Sequence, residues 1–109
     1  YEISIGSENG SVEANTNGNG MFAYLDNVST LDLSGLDTSN MTSMSRMFLN
    51  SKSLTNIDTS GFDTSKVVNM NGMFWGCNNL KNIDVSNFKT SKVTDINNMF
   101  ADCSSLTAL

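Results

Sequence analysis

Apolar residues recur along this chain with a fixed period of 26 residues. The dipeptide Met-Phe marks each unit and stands at Met21-Phe22, Met47-Phe48, Met73-Phe74 and Met99-Phe100. A leucine-type position and a second apolar position follow at the same interval, and so does an Asp that is followed two residues later by Ser. Self-similarity at a period of about 20–50 residues is the signature of stacked repeats. The sequence therefore predicts an array of about three and a half units over residues 21–109.

Each unit divides into two halves with different spacing. Leu80, Ile83 and Val85 predict one face of a short strand and its entry. The second half has a helical spacing, because Val67, Met70 and Met73-Phe74 fall at i, i+3, i+6 and i+7. The regularly spaced Met residues of this half, here called the Met stripe, favour a buried core over a flexible binding groove. The predicted unit is a strand, a polar turn, a short helix and a return loop.

These units predict an α/β leucine-rich-repeat-like solenoid with parallel strands on one side and short helices on the other. Residues 1–20 depart from the repeat, and their alternation around Glu8–Ser11 predicts an N-terminal β-hairpin cap. The predicted division is thus a cap at 1–20 and a solenoid at 21–109. The pattern stops within a strand at Leu109, so we expect further repeats or a second chain to cover that edge.

Composition narrows the function classes. The formal net charge is −5 with scattered basic residues, which argues against nucleic acid or an anionic membrane as partner. The apolar runs are too short for membrane insertion within this segment. There is no histidine to act as a general base or metal ligand, so we expect no enzymatic activity. Ser, Thr and Asn make up about two-fifths of the chain and supply its predicted turns and exposed face.

Asp32, Asp58 and Asp84 are the most suggestive candidate site, because they occupy one repeat position. Stacked carboxylates repel each other and need neutralisation. Calcium is one solution, since it takes several carboxylate oxygens. The favoured alternative is hydrogen bonding from Ser34, Ser60 and Ser86. A glycosidase pair is disfavoured, because identical repeats cannot give an acid and a base different environments.

The two cysteines, the tryptophan and three polar residues of the strand face are further candidates. Cys77 and Cys103 share a repeat position in neighbouring units, so a disulfide is conceivable, but two free buried thiols are favoured. Trp75 occupies a position without a fixed residue type and is either a ligand contact or an edge filler. Asn56, Asn82 and Lys81 add hydrogen-bonding groups to the predicted polar strand face.

The block from Leu31 to Thr42 (LDLSGLDTSNMT) and the block from Met73 to Leu80 (MFWGCNNL) closely resemble the repeat motifs of BspA-like leucine-rich-repeat bacterial surface proteins. The resemblance implies an extracellular, cell-surface or secreted module that adheres to a host or matrix protein or glycan. Thr59, Asn87, Lys89 and Ser51 depart from the motif. The leading hypothesis is therefore a non-enzymatic adhesion or binding module. The alternative is a structural spacer or fibre segment that stacks end to end through its C-terminal edge.

Overall fold

The computed structural model describes residues 2–4, 12–13 and 16–107. These residues form five short strands: β1 (Glu2–Ser4), β2 (Val12–Glu13), β3 (Thr30–Asp32), β4 (Leu36–Asp37) and β5 (Asn56–Ile57). All pairings are parallel, in a sheet of order β1-β3-β5 and a sheet β2-β4. Parallel bridges also join Asn17, Ser43, Asn69 and Asp95 in steps of 26 residues. The described residues thus wind into stacked coils, named here coil 1 (residues 2–4, 12–13 and 16–29), coil 2 (30–55), coil 3 (56–81) and coil 4 (82–107).

The N-terminal strands belong to coil 1 and do not form a hairpin. Glu2 lies opposite Thr30, and Val12 lies opposite Leu36, so β1 and β2 pair with strands of coil 2 in different sheets. The β-hairpin cap predicted for residues 1–20 is therefore wrong for the described strands. Parallel pairing uses the backbone edge that coil 2 presents, which a separate hairpin would leave open. The predicted turn at residues 8–11 and the edge at Leu109 lie outside the described residues, and the division at residue 20 stays a prediction.

The second half of each unit is a run of turns, and the described residues contain no helix. In coil 2 the amides of Met44, Arg46, Phe48 and Asn50 donate to carbonyls of coil 3 at 2.7–2.9 Å. Between them, the amides of Met47 and Leu49 donate three residues back, to Met44 and Arg46, and the Ser45 amide donates to Asn19 Oδ1 in coil 1 at 3.1 Å. An α-helix needs every amide to donate four residues back within its own segment. The predicted solenoid of strand-plus-helix, leucine-rich-repeat-like units is therefore wrong, because alternate amides serve to join the coils.

Backbone conformation explains why no helix forms. Two repeat positions in each coil are left-handed, with φ between 53° and 78°: Gly20, Arg46, Gly72 and Asn98, then Tyr24, Asn50, Gly76 and Asp102. A right-handed helix needs φ near −60° at every residue. Most of these residues are Gly, Asn or Asp, which tolerate the left-handed region best. The apolar spacing of three residues therefore comes from successive turns rather than from a helix face.

The core consists of side-chain ladders that run across the coils. Phe22, Phe48, Phe74 and Phe100 stack with ring centroids 5.7, 5.3 and 5.5 Å apart. Met41, Met44, Met47, Met70 and Met73 are fully buried, which confirms that the Met stripe is core rather than groove in coils 2 and 3. Each coil buries its apolar face only against its neighbours, as expected for quasi-one-dimensional repeats.

Polar side chains also bridge the coils inside the stack. The hydroxyl of buried Thr38 donates to the Asp63 carbonyl at 3.2 Å and accepts the Asp63 amide at 2.9 Å. Thr64 repeats both bonds one coil later with Lys89, at 3.1 and 2.7 Å. Within the described part of the chain, no buried side-chain nitrogen or oxygen lacks a partner. This full pairing avoids the desolvation cost of an unsatisfied buried group.

Candidate functional site

The three repeated aspartates form closed turns on the strand side. The Oδ1 atoms of Asp32, Asp58 and Asp84 accept the amides of Ser34, Ser60 and Ser86 at 3.0, 3.0 and 2.9 Å. The serine hydroxyl and then the serine amide hold the pKa of each carboxyl below its usual range. At Asp58, desolvation and the neighbouring Asp32 charge oppose this shift. These hydrogen bonds are the ones that the alternative to calcium predicts, so each carboxylate has its own local donors.

The structure brings some of the predicted strand-face residues together. Asn56, Asp58, Asn82 and Asp84 line a depression of about 250 Å³ with their neighbours in coils 3 and 4. Asp32, Lys81 and Trp75 are not part of that lining. In the described residues, no group of three or more Asp, Glu, Cys or His side chains could hold a metal ion. Nothing in the described geometry therefore adds support to the calcium hypothesis.

Cys77 and Cys103 are free thiols with a structural role. Their Sγ atoms donate to the carbonyls of Phe48 and Phe74, one coil earlier, at 3.1 and 2.9 Å. Ser51 occupies the same repeat position and donates to the Phe22 carbonyl at 2.6 Å. Burial raises the pKa of the Cys77 thiol to about 12, and burial also raises that of half-buried Cys103. A thiol held this way is a poor nucleophile, because the thiolate is the reactive form.

A groove crosses the turn side of coils 1 to 4, away from Asp32, Asp58 and Asp84. Its central part, about 450 Å³, is lined by Tyr24, Arg46, Leu49, Asn50, Trp75 and Asp102. A second depression of about 450 Å³ shares Tyr24, Arg46 and Leu49 with it. A third, of about 370 Å³, shares Asn50 and Asp102 and adds Lys52. These three depressions form one continuous surface, here called the turn-face groove.

Trp75 is fixed in the turn-face groove by its neighbours. Its indole Nε1 donates to Asp102 Oδ2 at 3.2 Å. Gly72 lies beneath it, and a Cβ there would stand 3.1 Å from Trp75 Cε3 and 3.2 Å from Arg46 Cγ. The missing side chain of Gly72 therefore lets the indole and the Arg46 stem approach the backbone closely. Among the described residues the Arg46 guanidinium has no hydrogen-bond or ion-pair partner, which leaves its donors available.

Two groove residues break the rule of their repeat positions. Tyr24 has φ 61° and Arg46 has φ 55°, where the other coils have Gly, Asn or Asp. Bulky residues in this region carry backbone strain of about 1–3 kcal/mol. Sequence analysis identified Trp75 but missed Tyr24, Arg46, Leu49, Asn50 and Asp102. The signal that could have identified the groove is the presence of Tyr and Arg at repeat positions that form turns. The helix prediction did not treat these positions as turns.

Comparison with known proteins identifies a family but no individual relative. No curated protein and no solved structure matches the chain. No helix of the described residues is long and apolar enough to cross a membrane. One family model, described as "Mycoplasma protein of unknown function, DUF285", matches residues 13–108. The match covers the repeats and part of the N-terminal region, and the chain therefore belongs to the DUF285 family.

Proposed function

We propose that the chain is a non-enzymatic binding module that holds a glycan in the turn-face groove. The observation that carries the proposal is the position of Tyr24 and Arg46 beside Trp75. Both are in left-handed conformations that their residue types disfavour, and both line the same groove. Strained backbone clusters at ligand-binding sites, where the side chain is needed despite the cost.

The chemistry of the groove suits a sugar chain. Aromatic rings present a flat apolar face with a polar edge, which matches the mixed surface of a sugar ring. Asn50 supplies both donors and an acceptor for hydroxyl groups. The guanidinium of Arg46, which has no partner among the described residues, favours a ligand that carries a carboxylate, because Arg binds carboxylates through paired hydrogen bonds. The proposed ligand is therefore a glycan that contains acidic sugars.

The proposal also covers where the module acts and which surface proteins it resembles. A glycan-binding module without catalytic residues fits adhesion at a cell surface or in secreted form, and the motif resemblance to BspA-like surface proteins supports the same setting. The continuous length of the groove supports contact with several sugar units in succession. The strand-side depression is a weaker candidate, because its carboxylates are already hydrogen-bonded to their serines.

The test is a glycan array followed by calorimetric titration of an acidic oligosaccharide and a neutral one of equal length. Trp75→Ala should weaken binding of the acidic oligosaccharide by roughly 5- to 150-fold, as expected for loss of about 1–3 kcal/mol of aromatic contact. Arg46→Gly should weaken it by roughly tenfold and remove the preference for the acidic form. Arg46→Gly also relieves the left-handed strain, so reduced stability cannot explain its loss of binding.

Val68→Ala is the matched control, because Val68 is 42% exposed and does not line the groove. Its affinity should equal that of the unmodified chain. Glycan binding that survives Trp75→Ala would refute the groove as the site. Binding of a protein ligand through the same residues, with no glycan bound, would refute the glycan. Equal affinity for acidic and neutral oligosaccharides would refute the role given to Arg46.

A further inference from the structure

Asparagine followed by glycine is a chemically reactive pair, because the asparagine can lose its side-chain amide without any catalyst. In the part of the chain that the structure describes, these pairs are Asn17-Gly18, Asn19-Gly20 and Asn71-Gly72. The glycine nitrogen forms a bond to the asparagine Cγ, and the bond from Cγ to Nδ2 breaks. The side-chain nitrogen leaves as ammonia with the glycine amide proton, and water then opens the five-membered succinimide to aspartate or isoaspartate. Glycine favours the attack because it has no Cβ to obstruct it.

The fold holds the glycine nitrogen of each pair in a hydrogen bond to the next coil. The amides of Gly18, Gly20 and Gly72 donate to the carbonyls of Ser43, Ser45 and Asn97 at 2.9, 3.1 and 2.9 Å. The nitrogen must lose its proton to attack, and a hydrogen bond to a carbonyl retains that proton. Reaction at each pair therefore requires the joint between two coils to open locally.

Asn71 also bonds to the next coil through its side chain. Its Nδ2 donates to both carboxylate oxygens of Asp95, at 3.3 and 3.2 Å, and Asp95 Oδ1 accepts the Asn97 amide at 2.9 Å. Asn71 and Asp95 are both half-buried. A carboxylate can only accept, so this contact requires the donor side of the Asn71 amide. Deamidation removes the donor and leaves two carboxylates that face and repel each other.

Asn19 occupies the same repeat position as Asn71 but has the opposite hydrogen-bonding role. Its Oδ1 accepts the Ser43 hydroxyl and the Ser45 amide, the latter at 3.1 Å. An aspartate at position 19 keeps oxygen acceptors for both donors. The two Asn-Gly pairs are therefore chemically alike, but only the product at position 19 fits the joint between its coils.

We propose that Asn71-Gly72 is a self-modification site that the joint between coils 3 and 4 controls. The closed joint holds back deamidation through the Gly72 hydrogen bond, and deamidation weakens the joint through repulsion between position 71 and Asp95. Gly72 also lies beneath Trp75 and the Arg46 stem, so an isoaspartate at position 71 lengthens the backbone next to the floor of the turn-face groove. The proposal rests on contacts between coils 3 and 4 and is independent of glycan binding.

Peptide mapping by mass spectrometry tests whether the joint controls the reaction. The 109-residue chain is incubated in mildly alkaline buffer, native in one sample and unfolded in urea in the other. Asn71 should deamidate in the native chain slower by roughly tenfold or more, because the Gly72 nitrogen is released only when the joint opens. Equal rates at Asn71 in the two samples would overturn control by the joint.

Substitutions test whether the product weakens the joint. Asn71→Asp gives the product with a normal backbone and should lower the urea midpoint, followed by the fluorescence of Trp75, the only tryptophan. Asn19→Asp is the matched control at the same repeat position and should leave the midpoint unchanged.

The double variant Asn71→Asp/Asp95→Asn restores a donor and an acceptor in reversed order, so it should recover most of the midpoint lost in Asn71→Asp. This recovery is measurable even if Asn71→Asp alone does not fold. Equal midpoints for Asn71→Asp and Asn19→Asp overturn the proposal, and so does a double variant that recovers nothing.

Discussion

The phenylalanine ladder allows a direct measurement of how strongly neighbouring coils stabilise each other. Phe74 is fully buried and stacks on Phe48 and Phe100 at centroid distances of 5.3 and 5.5 Å. Phe74→Leu keeps most of the volume, so its main loss is two ring pairs, or about 1–3 kcal/mol of the free energy of unfolding at about 0.5–1.5 kcal/mol a pair. Phe100→Leu loses one pair, or about 0.5–1.5 kcal/mol.

Urea denaturation, followed by circular dichroism at a protein concentration where the chain is monomeric, measures both losses. Phe74→Leu should cost about twice as much as Phe100→Leu, with the slope of the unfolding free energy against urea unchanged. Phe62→Leu is a useful reference, because Phe62 has one ring neighbour, Phe88, at 6.4 Å. Equal costs for Phe74→Leu and Phe100→Leu would refute the idea that ring pairs between coils carry the stabilisation.

Three further predictions follow from the described contacts. Gly76→Ala should lower the free energy of unfolding in urea by about 1–3 kcal/mol, because Gly76 has φ 78° and the new Cβ would collide with Asn50. Gly61→Ala is the control, because the space around Gly61 is open, and it should cost nothing or stabilise by about 0.4–1 kcal/mol. The pKa of Asp58 is lowered in the folded state, so the stabilisation by its carboxylate is complete above about pH 4 and is lost as the pH falls through the folded pKa. The urea midpoint should therefore fall between about pH 5 and pH 3, and it should fall less in Asp58→Asn. The pKa of Cys77 is about 12 in a buried site, so native protein at about pH 8 should alkylate there far more slowly than urea-unfolded protein; equal rates by mass spectrometry would contradict that burial.

The repeat and its buried positions could be predicted from the sequence, whereas the local backbone could not. The 26-residue spacing of Met-Phe places equivalent residues on top of each other, and the fully buried Met70 and Met73 are where the apolar pattern puts them. Apolar residues three apart are common to a helix and to successive turns, so periodicity alone cannot separate the two. The deciding signal was the left-handed pair at Gly72 and Gly76, which a helix interior disfavours.

The site was harder to predict, because it depends on side chains from several coils. The aspartates share one repeat position and are easy to find, yet each is satisfied by a serine two residues away. Tyr24, Arg46 and Trp75 belong to three coils and to three different repeat positions. Their convergence requires the 26-residue register together with the turn conformation. A reading based on helices places these side chains in the wrong directions.

Function in this fold is expected where the repeat is broken rather than where it is kept. Positions that hold the coils together allow little choice: the hydroxyl or thiol at Ser51 and Cys77 must reach a carbonyl of the preceding coil. A left-handed turn position likewise favours Gly, Asn or Asp, since any other residue strains the backbone. Tyr24 and Arg46 accept that strain and line one groove. Stability alone gives no reason for these two side chains, so a ligand that contacts them is the most economical explanation for their presence.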